Sequence, residues 1–417
     1  EAYNLPQGVI THMYRDIAAH NIGTITHVGL NTFVDPRKGG GKLNDVTKED
    51  LVSLIEIEGE ERLLYRTFPI DVVLLRGSYA DEYGNCTVHR EIGPLDVTAM
   101  AQACKNSGGK VIVQVEKIVE EGSLDPKLVK IPGIYVDSIV VGSREDNLQC
   151  LGTEYDGSFT GEYRVPVDAI EHVPLNQRKI IARRAAMELP ENAIVNLGTG
   201  VPEVIASVAA EEGISDYMTL TVEAGSIAGV PAGGTQFGAS ANPMAILDHN
   251  VQFDFYQGGG LDVAFLGLAE TAPNGDLNVS KFGDRLAGAG GFIDITQNAK
   301  KVCYCGTFTA KGLKVSCNDG ELSIEEEGGK KKFVNEVEHV TFSGDYAVKV
   351  KQPVLYITER AVFELREDGL TLIEIAPGMD LKRDILDQME FMPHLAKDLK
   401  RMDIRIFRDA PMGLKDK

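Results

Sequence analysis

At 417 residues the chain exceeds what one ordinary core holds and suits two large domains. With 43% hydrophobic and 25% charged residues, and no apolar run near the ~20 residues a spanning helix needs, it reads as a soluble globular protein without a membrane helix. A formal charge of -20 argues against nucleic acid or an anionic membrane as general partners, which reward spread Lys and Arg, yet leaves room for a local phosphate pocket.

The first residues, Glu1-Ala2-Tyr3, carry neither an initiator Met nor a signal-like segment, so the expectation is a chain missing its front end. From Ile70 onward the sequence matches itself without gaps at an offset of 191 residues, which sets Ile70 on Leu261, Asp71, Val72 and Leu75 on Asp262, Val263 and Leu266, Gly84 on Gly275, Val88 on Val279, and Lys110-Val111 on Lys301-Val302. Each copy reads as an apolar strand, a polar turn around glycine and a returning strand. Eight such agreements could arise between two generic strand-loop units, but two related halves are the preferred reading. The expected organisation is a first half over 1–151, a linker over 152–176 carrying Pro166 and Pro174, and a second half over 177–417.

The second half opens with a helical pattern from Ile180 to Leu189, then the strand Ala193–Leu197, the turn Gly198-Thr199-Gly200-Val201-Pro202 and a helix from Glu203 to Ala210. Strands alternating with helices imply an α/β fold of two related open, largely parallel-sheet halves, the first lacking its N-terminal segment. A β-rich run, Met218 to Val222, ends at Glu223, and ligands of open parallel sheets sit beyond such strand ends. From position alone, Glu223 could also face water or pair with an arginine. Small residues crowd behind it, Gly225 among them, as a backbone needs when a long ligand approaches closely. Two further glycine clusters, Gly258-Gly259-Gly260 and Gly288-Ala289-Gly290-Gly291, could aim N–H groups at an anion or be turns.

Cys303 and Cys305 alternate along one apolar run and read as core packing rather than a metal or redox pair. With Cys86, Cys104, Cys150 and Cys317 they form no paired CxxC spacing, which fits a reducing cytoplasm. Of the scattered histidines only His12 and His249 lie near interesting segments, and each reads first as a surface or core hydrogen-bonding group. No metal motif, Walker loop, dinucleotide fingerprint or serine-hydrolase elbow is present. Lys330 to Lys332 read as a solvated hairpin tip, Pro353–Thr358 and Ala361–Leu365 as strands, and Asp380 to Met389 as a short capped helix.

Taken together, Asn196-Leu197-Gly198-Thr199-Gly200-Val201-Pro202, Thr221-Val222-Glu223-Ala224-Gly225, Gly259-Gly260-Leu261-Asp262, Gly275-Asp276-Leu277-Asn278 and Gly290-Gly291-Phe292-Ile293-Asp294 resemble the family I coenzyme A transferases, in order and in spacing. The likeness is nearest to the single-chain acetate or propionate branch and runs over the whole chain. It implies a transferase of short-chain fatty acid or ketone-body metabolism that moves coenzyme A from an acyl-CoA to acetate, propionate or a 3-keto acid. By the resemblance Glu223 is the nucleophile, Gly291 the oxyanion-binding glycine and Asn278 the Asn of the Gly-Asn/Asp-Leu segment; Gly198, Gly200, Gly225, Gly259, Gly260 and Gly290 are the accompanying coenzyme-binding candidates. Coenzyme A enters as substrate and covalent thioester, with no resident cofactor and no metal, and the expected assembly is a homo-oligomer, dimer or tetramer. Acyl-CoA hydrolysis and a non-catalytic coenzyme-binding or self-associating module remain the alternatives.

Overall fold

The computed structural model describes residues 1–166 and 173–416, so part of the expected linker, 167–172, lies outside the described residues. The chain divides into two compact units that interleave in sequence: Glu1–Val28, Val34–Val167 and Leu220–Gly258 form one, and Gly29–Phe33, Asp168–Thr219 and Gly259–Lys417 the other. Among the described residues no helix is long and apolar enough to cross a membrane.

In the first unit the strands Ser138–Val141, Lys110–Val115 and Val72–Arg76 make a parallel sheet. Val73, Leu75, Val111, Val113 and Val115 alternate into one core with Cys86, Ala101, Cys104 and Ile131. The period of two that puts these β-branched residues on one face is what forms the strand, because burying each such side chain contributes about 1.5–3 kcal/mol. Two further elements flank the candidate site, the helix Gln7–Ala18 and the helix His249–Gln257.

In the second unit seven strands of one sheet follow in the order Ala193–Leu197, Val263–Gly267, Val302–Cys305, Val354–Ile357, Ala361–Arg366, Gly369–Ile375 and His394–Arg401. The first four run parallel. Val302 to Cys305 and Val354 to Ile357 are buried at every position, as strands covered on both faces must be, and this explains why their sequences show apolar runs. Cys303 and Cys305 belong to that core, and burial pushes the Cys303 thiol up to about 12.

The offset of 191 residues seen in the sequence carries through the structure. Val72–Arg76 corresponds to Val263–Gly267 and Cys86–Thr87 to Leu277–Asn278. Pairing registers correspond as well: Val73↔Val111 becomes Ala264↔Val302, and Ala80↔Cys86 becomes Thr271↔Leu277. The turn glycines Gly84 and Gly275 share positive φ values of 83° and 85°, a conformation that side-chain-bearing residues rarely adopt. The α/β expectation of related, largely parallel-sheet halves therefore holds in strand order and in register.

The short capped helix expected over Asp380 to Met389 forms, with Asp380 accepting from the Arg383 N–H at 2.7 Å, as a π-helical turn followed by a 3₁₀ turn. One local expectation fails. Lys330 to Lys332 are no solvated tip: Lys330 and Lys331 pair with Thr309 and Ala310 as strands, and Lys332 is 7% exposed. The strand pairing draws Lys332 inward, while Lys330 stays exposed.

Burial pushes the Lys332 ammonium down from 10.5 to about 8, against the upward pull of Glu359. A lysine depressed in the folded state costs stability in full below pH 8, and the cost fades as pH rises toward 10.5, where the unfolded chain also loses its proton. Lys332→Met is expected to stabilise the protein at pH 7, by up to about 3 kcal/mol, with the gain shrinking as pH rises past the depressed value. Urea unfolding midpoints at pH 7 and pH 10 check the size and the sign.

Candidate active site

Glu223 sits at a corner of a tight turn. The strand Met218–Thr221 leads into Val222, whose carbonyl accepts the Gly225 N–H at 3.0 Å while its own N–H donates to the Ser226 carbonyl at 2.9 Å. The chain then returns antiparallel as Ser226–Ile227, so Glu223 stands at the end of the expected β-rich run and projects from a β-hairpin. A hairpin tip held by two backbone bonds presents one side chain rigidly.

The turn is enclosed on two sides. Gly225 has φ 111°, and a side-chain carbon there would lie 2.1 Å from the Leu247 carbonyl oxygen. Leu247 in turn donates its N–H to the Gly225 carbonyl at 2.9 Å. A side-chain carbon at Gly93 would stand 2.9 Å from the Ala224 carbonyl oxygen. Both contacts are against backbone, which cannot swing aside, so these glycines set how deeply Glu223 is seated.

Glu223 keeps part of its surface open, yet burial pushes its carboxyl above the ordinary range, with His249 pulling it back down. Among the described residues its carboxylate makes no ion pair or hydrogen bond. Glu91 is raised by burial too, but Arg76 grips it, its Nε donating to the Glu91 Oε2 at 2.9 Å. An unpaired, partly desolvated carboxylate is what a nucleophile needs and what a structural glutamate avoids. Within the same unit Asp96 Oδ1, Ser226 Oγ and both polar atoms of the Gln252 amide are buried without a partner among the described residues. Ser226 belongs to the Glu223 hairpin itself, and orphaned groups of this kind ask for a ligand or water.

In the second unit the candidate glycines separate by edge. Gly198 follows the strand Ala193–Leu197 at its carboxyl end, donating its N–H to the Phe265 carbonyl at 2.8 Å, and Gly200 lies in the same turn. Gly259 and Gly260 precede the parallel neighbour Val263–Gly267, at its amino end. Gly198 and Gly200 thus share the edge where open parallel sheets bind ligands, and Gly259 and Gly260 do not. Gly291 caps the short helix Phe292–Thr296, and Gly290 precedes it with φ 54°. Among the described residues no acceptor takes the Gly291 N–H, which leaves it as a donor for an outside oxygen.

Asn278 is fully buried, and its amide is already saturated. Nδ2 donates to Glu270 Oε2 at 2.8 Å and to the Lys281 carbonyl at 2.7 Å, while Oδ1 accepts from the Ser280 and Lys281 N–H groups at 3.0 and 3.2 Å. Its geometry suits fixing the turn and Glu270. Burial works to raise Glu270, but Lys330 at 2.8 Å and Asn278 outweigh it and hold the carboxyl below the usual range. The 191-residue shift sets Thr87 opposite Asn278, Tyr79 opposite Glu270 and Met100 opposite Gly291, so the first half keeps the scaffold without the amide–carboxylate pair.

Sequence reasoning missed Asp96, Gln7, Gly93, Glu270 and Lys330. It also gave His249 a bland role. None follows a periodic pattern, because each is brought in by a separate loop or helix end; only the pairing of Gly84 with Gly275 in the internal repeat could have drawn attention to the segment around Glu270.

A family model described as "Coenzyme A transferase" matches residues 1–142. The chain is 52% identical to caffeate CoA-transferase of Acetobacterium woodii, over 98% of its own length and 79% of that protein's. It is 48% identical to acetate CoA-transferase YdiF of Escherichia coli strain K12, covering 99% of this chain and 77% of that one. Among solved structures it superposes on the acyl-CoA transferase of E. coli O157:H7, in a thioester complex with CoA, with a TM-score of 0.92 at 47% identity, covering 99% of this chain and 78% of that one.

Proposed function

This chain belongs to the coenzyme A transferase family and is an enzyme that transfers coenzyme A, and we propose that it does so from a short-chain acyl-CoA to a free carboxylate through a thioester on Glu223. The observation that carries the residue assignment is the Glu223 carboxyl itself: seated at a hairpin tip by backbone contacts, raised by burial, and without an ion-pair partner among the described residues. The 0.92 superposition on a relative solved as a thioester with CoA supports the covalent route.

A glutamate needs no general base when its carboxyl is ionised, the ordinary form at neutral pH of a group whose free value is about 4.3. In the proposed course Glu223 attacks the thioester carbonyl of the donor, giving an acyl-glutamyl anhydride and CoA thiolate. The thiolate attacks the glutamyl carbonyl, releasing the donor's carboxylate and leaving glutamyl-CoA. An acceptor carboxylate then reverses both steps, in ping-pong order. Carboxylate is a weak nucleophile, so each tetrahedral oxyanion needs a fixed donor, contributing roughly 3 kcal/mol, and the open N–H of Gly291 is assigned to that role. Binding of the long pantetheine arm, remote from the reacting carbon, offsets the cost of forming the anhydride. In this reading residues 1–151 and 177–417 are the two halves in chain order, the second bearing the nucleophile, whereas by packing the Glu223 segment Leu220–Gly258 belongs to the compact unit that holds most of the first half.

Acetate, propionate and 3-keto acids are the proposed acceptors. Caffeate is a second, because the 52% identical relative is named for it. The test is mass spectrometry of the protein after incubation with acyl-CoA and borohydride, across a panel of donors. The expected result is a coenzyme A adduct, or its reduced product, at Glu223. Absence of both, or CoA release that needs no added carboxylate, would remove the transfer mechanism in favour of simple binding or hydrolysis.

A further inference from the structure

A hydrogen-bonded clamp holds the chain that leads into Gly291. Lys281–Phe282 and Arg285–Leu286 pair as a short hairpin, and the glycine loop 288–291 follows it directly. At the base of the hairpin the Ser280 carbonyl accepts the Ala287 and Gly288 N–H groups at 2.9 and 3.0 Å. At its tip the Gly283 N–H donates to the Glu338 carboxylate at 2.7 Å. The far end of the loop is fixed as well, since the Gly291 carbonyl accepts the Ile295 N–H at 3.0 Å in the buried helix Phe292–Thr296. Gly288 and Gly290 have φ values of 83° and 54°, so side chains add little constraint here and the course of the loop depends on its anchors.

Ser280 is itself held by three groups. Its N–H donates to Asn278 Oδ1 at 3.0 Å, and its Oγ lies 2.7 Å from His339 Nδ1 and 2.6 Å from Thr341 Oγ1. Ser280 and Thr341 are fully buried. The His339 ring stacks on Phe33 with centroids 3.9 Å apart. Burial and then Lys281 push the imidazole down to about 4, with Glu338 pulling the other way, so at neutral pH the ring acts as a hydrogen-bonding group and not as a charge. A neutral imidazole and two hydroxyls can satisfy one another in one chain of hydrogen bonds. His339 thus grips the hairpin base through Ser280, while the adjacent Glu338 grips the tip.

We propose that His339 is a positioning residue: by fixing Ser280 it sets the course of the loop 288–291 and with it the direction in which the Gly291 N–H points. The inference rests on Gly291 being the oxyanion donor of the proposed reaction. A misdirected donor costs rate more than binding, because it serves charge that develops only in the transition state.

Three variants separate the hydrogen bond from the ring. His339→Phe keeps an aromatic ring against Phe33 and removes the contact to Ser280. His339→Asn does the reverse, since its amide occupies the place of Nδ1. Ser280→Ala removes the same contact and leaves the histidine in place. The measurements are steady-state acyl exchange from acyl-CoA and hydrogen exchange of the peptide carrying the Ala287 and Gly288 amides. In H339F and S280A kcat should fall on the order of 10- to 100-fold with the KM for acyl-CoA near the parent value, and the two amides should exchange faster. H339N should recover most of both losses. A parental kcat in H339F and S280A overturns the proposal, as does an H339N no better than H339F. Should H339F not fold, S280A decides against the parent. The exchange data then locate the failure: faster amides with an unchanged kcat remove Gly291 as the donor, and amides at the parent's rate remove the clamp.

Discussion

Glu223→Gln is expected to abolish covalent capture of coenzyme A and to lower the transfer rate by on the order of 10⁴-fold or more, as loss of a covalent nucleophile does in other enzymes. The amide is nearly isosteric, so the hairpin contacts through Gly225, Leu247 and Gly93 remain, and the melting temperature should hold or rise. A rise would have a simple cause, because a carboxylate pushed upward by burial destabilises the folded state whenever it is ionised. The measurements are the acyl-exchange rate, intact mass after acyl-CoA, and thermal unfolding. Residual activity within tenfold of the parent would sink the nucleophile assignment, whatever happened to stability.

The largest loss of stability is expected at Arg360. Thr358 and Ala361 close a two-residue hairpin loop, with the Thr358 N–H donating to the Ala361 carbonyl at 3.0 Å, and the loop consists of Glu359 and Arg360. Both are fully buried. The guanidinium gives Nε to Glu359 at 2.7 Å and Nη1 to Glu327 at 2.7 Å, and it lies 5.1 Å from the Phe308 ring centroid. Glu359 accepts the Phe308 N–H at 2.9 Å with its other oxygen. Arg360→Met would leave Glu359 buried without its hydrogen-bonded cation and with only the depressed Lys332 ammonium nearby, at a cost of about 3–5 kcal/mol. A matching fall in the urea midpoint is the expected readout. The double variant Glu359→Gln with Arg360→Met should recover much of the loss, because replacing both partners removes the stranded charge. If the single and double variants were equally unstable, packing rather than charge would be holding the loop.

Much of the fold was legible because it follows from short-range rules. Ala193–Leu197 appears as a strand with the predicted bounds, and the internal offset correctly forecast matching registers 191 residues apart, since side-chain alternation writes strand pairing into the sequence. The glycines at 84 and 275 were readable for the same local reason. Glu223 could be singled out by its place after a β-rich run and by the family motif around it. Its setting could not: the hairpin return at Ser226 depends on strand pairing, and the Leu247 carbonyl against Gly225 and His249 with Asp96 and Gln7 join segments remote in sequence. The lysine run failed for a related reason. Three lysines after two glycines satisfy every local criterion for a solvated tip, and only the pairing with Thr309 and Ala310 draws Lys332 inside.

The sequence by itself determined the fold class, the duplicated strand units, the family motifs and the identity of the candidate nucleophile, since each is set by the nature and spacing of near neighbours. Tertiary structure alone decided which charges are buried, which glycines press on backbone, and which remote side chains meet at His249. Those properties depend on desolvation and on distances between remote segments, and composition and periodicity carry no record of either.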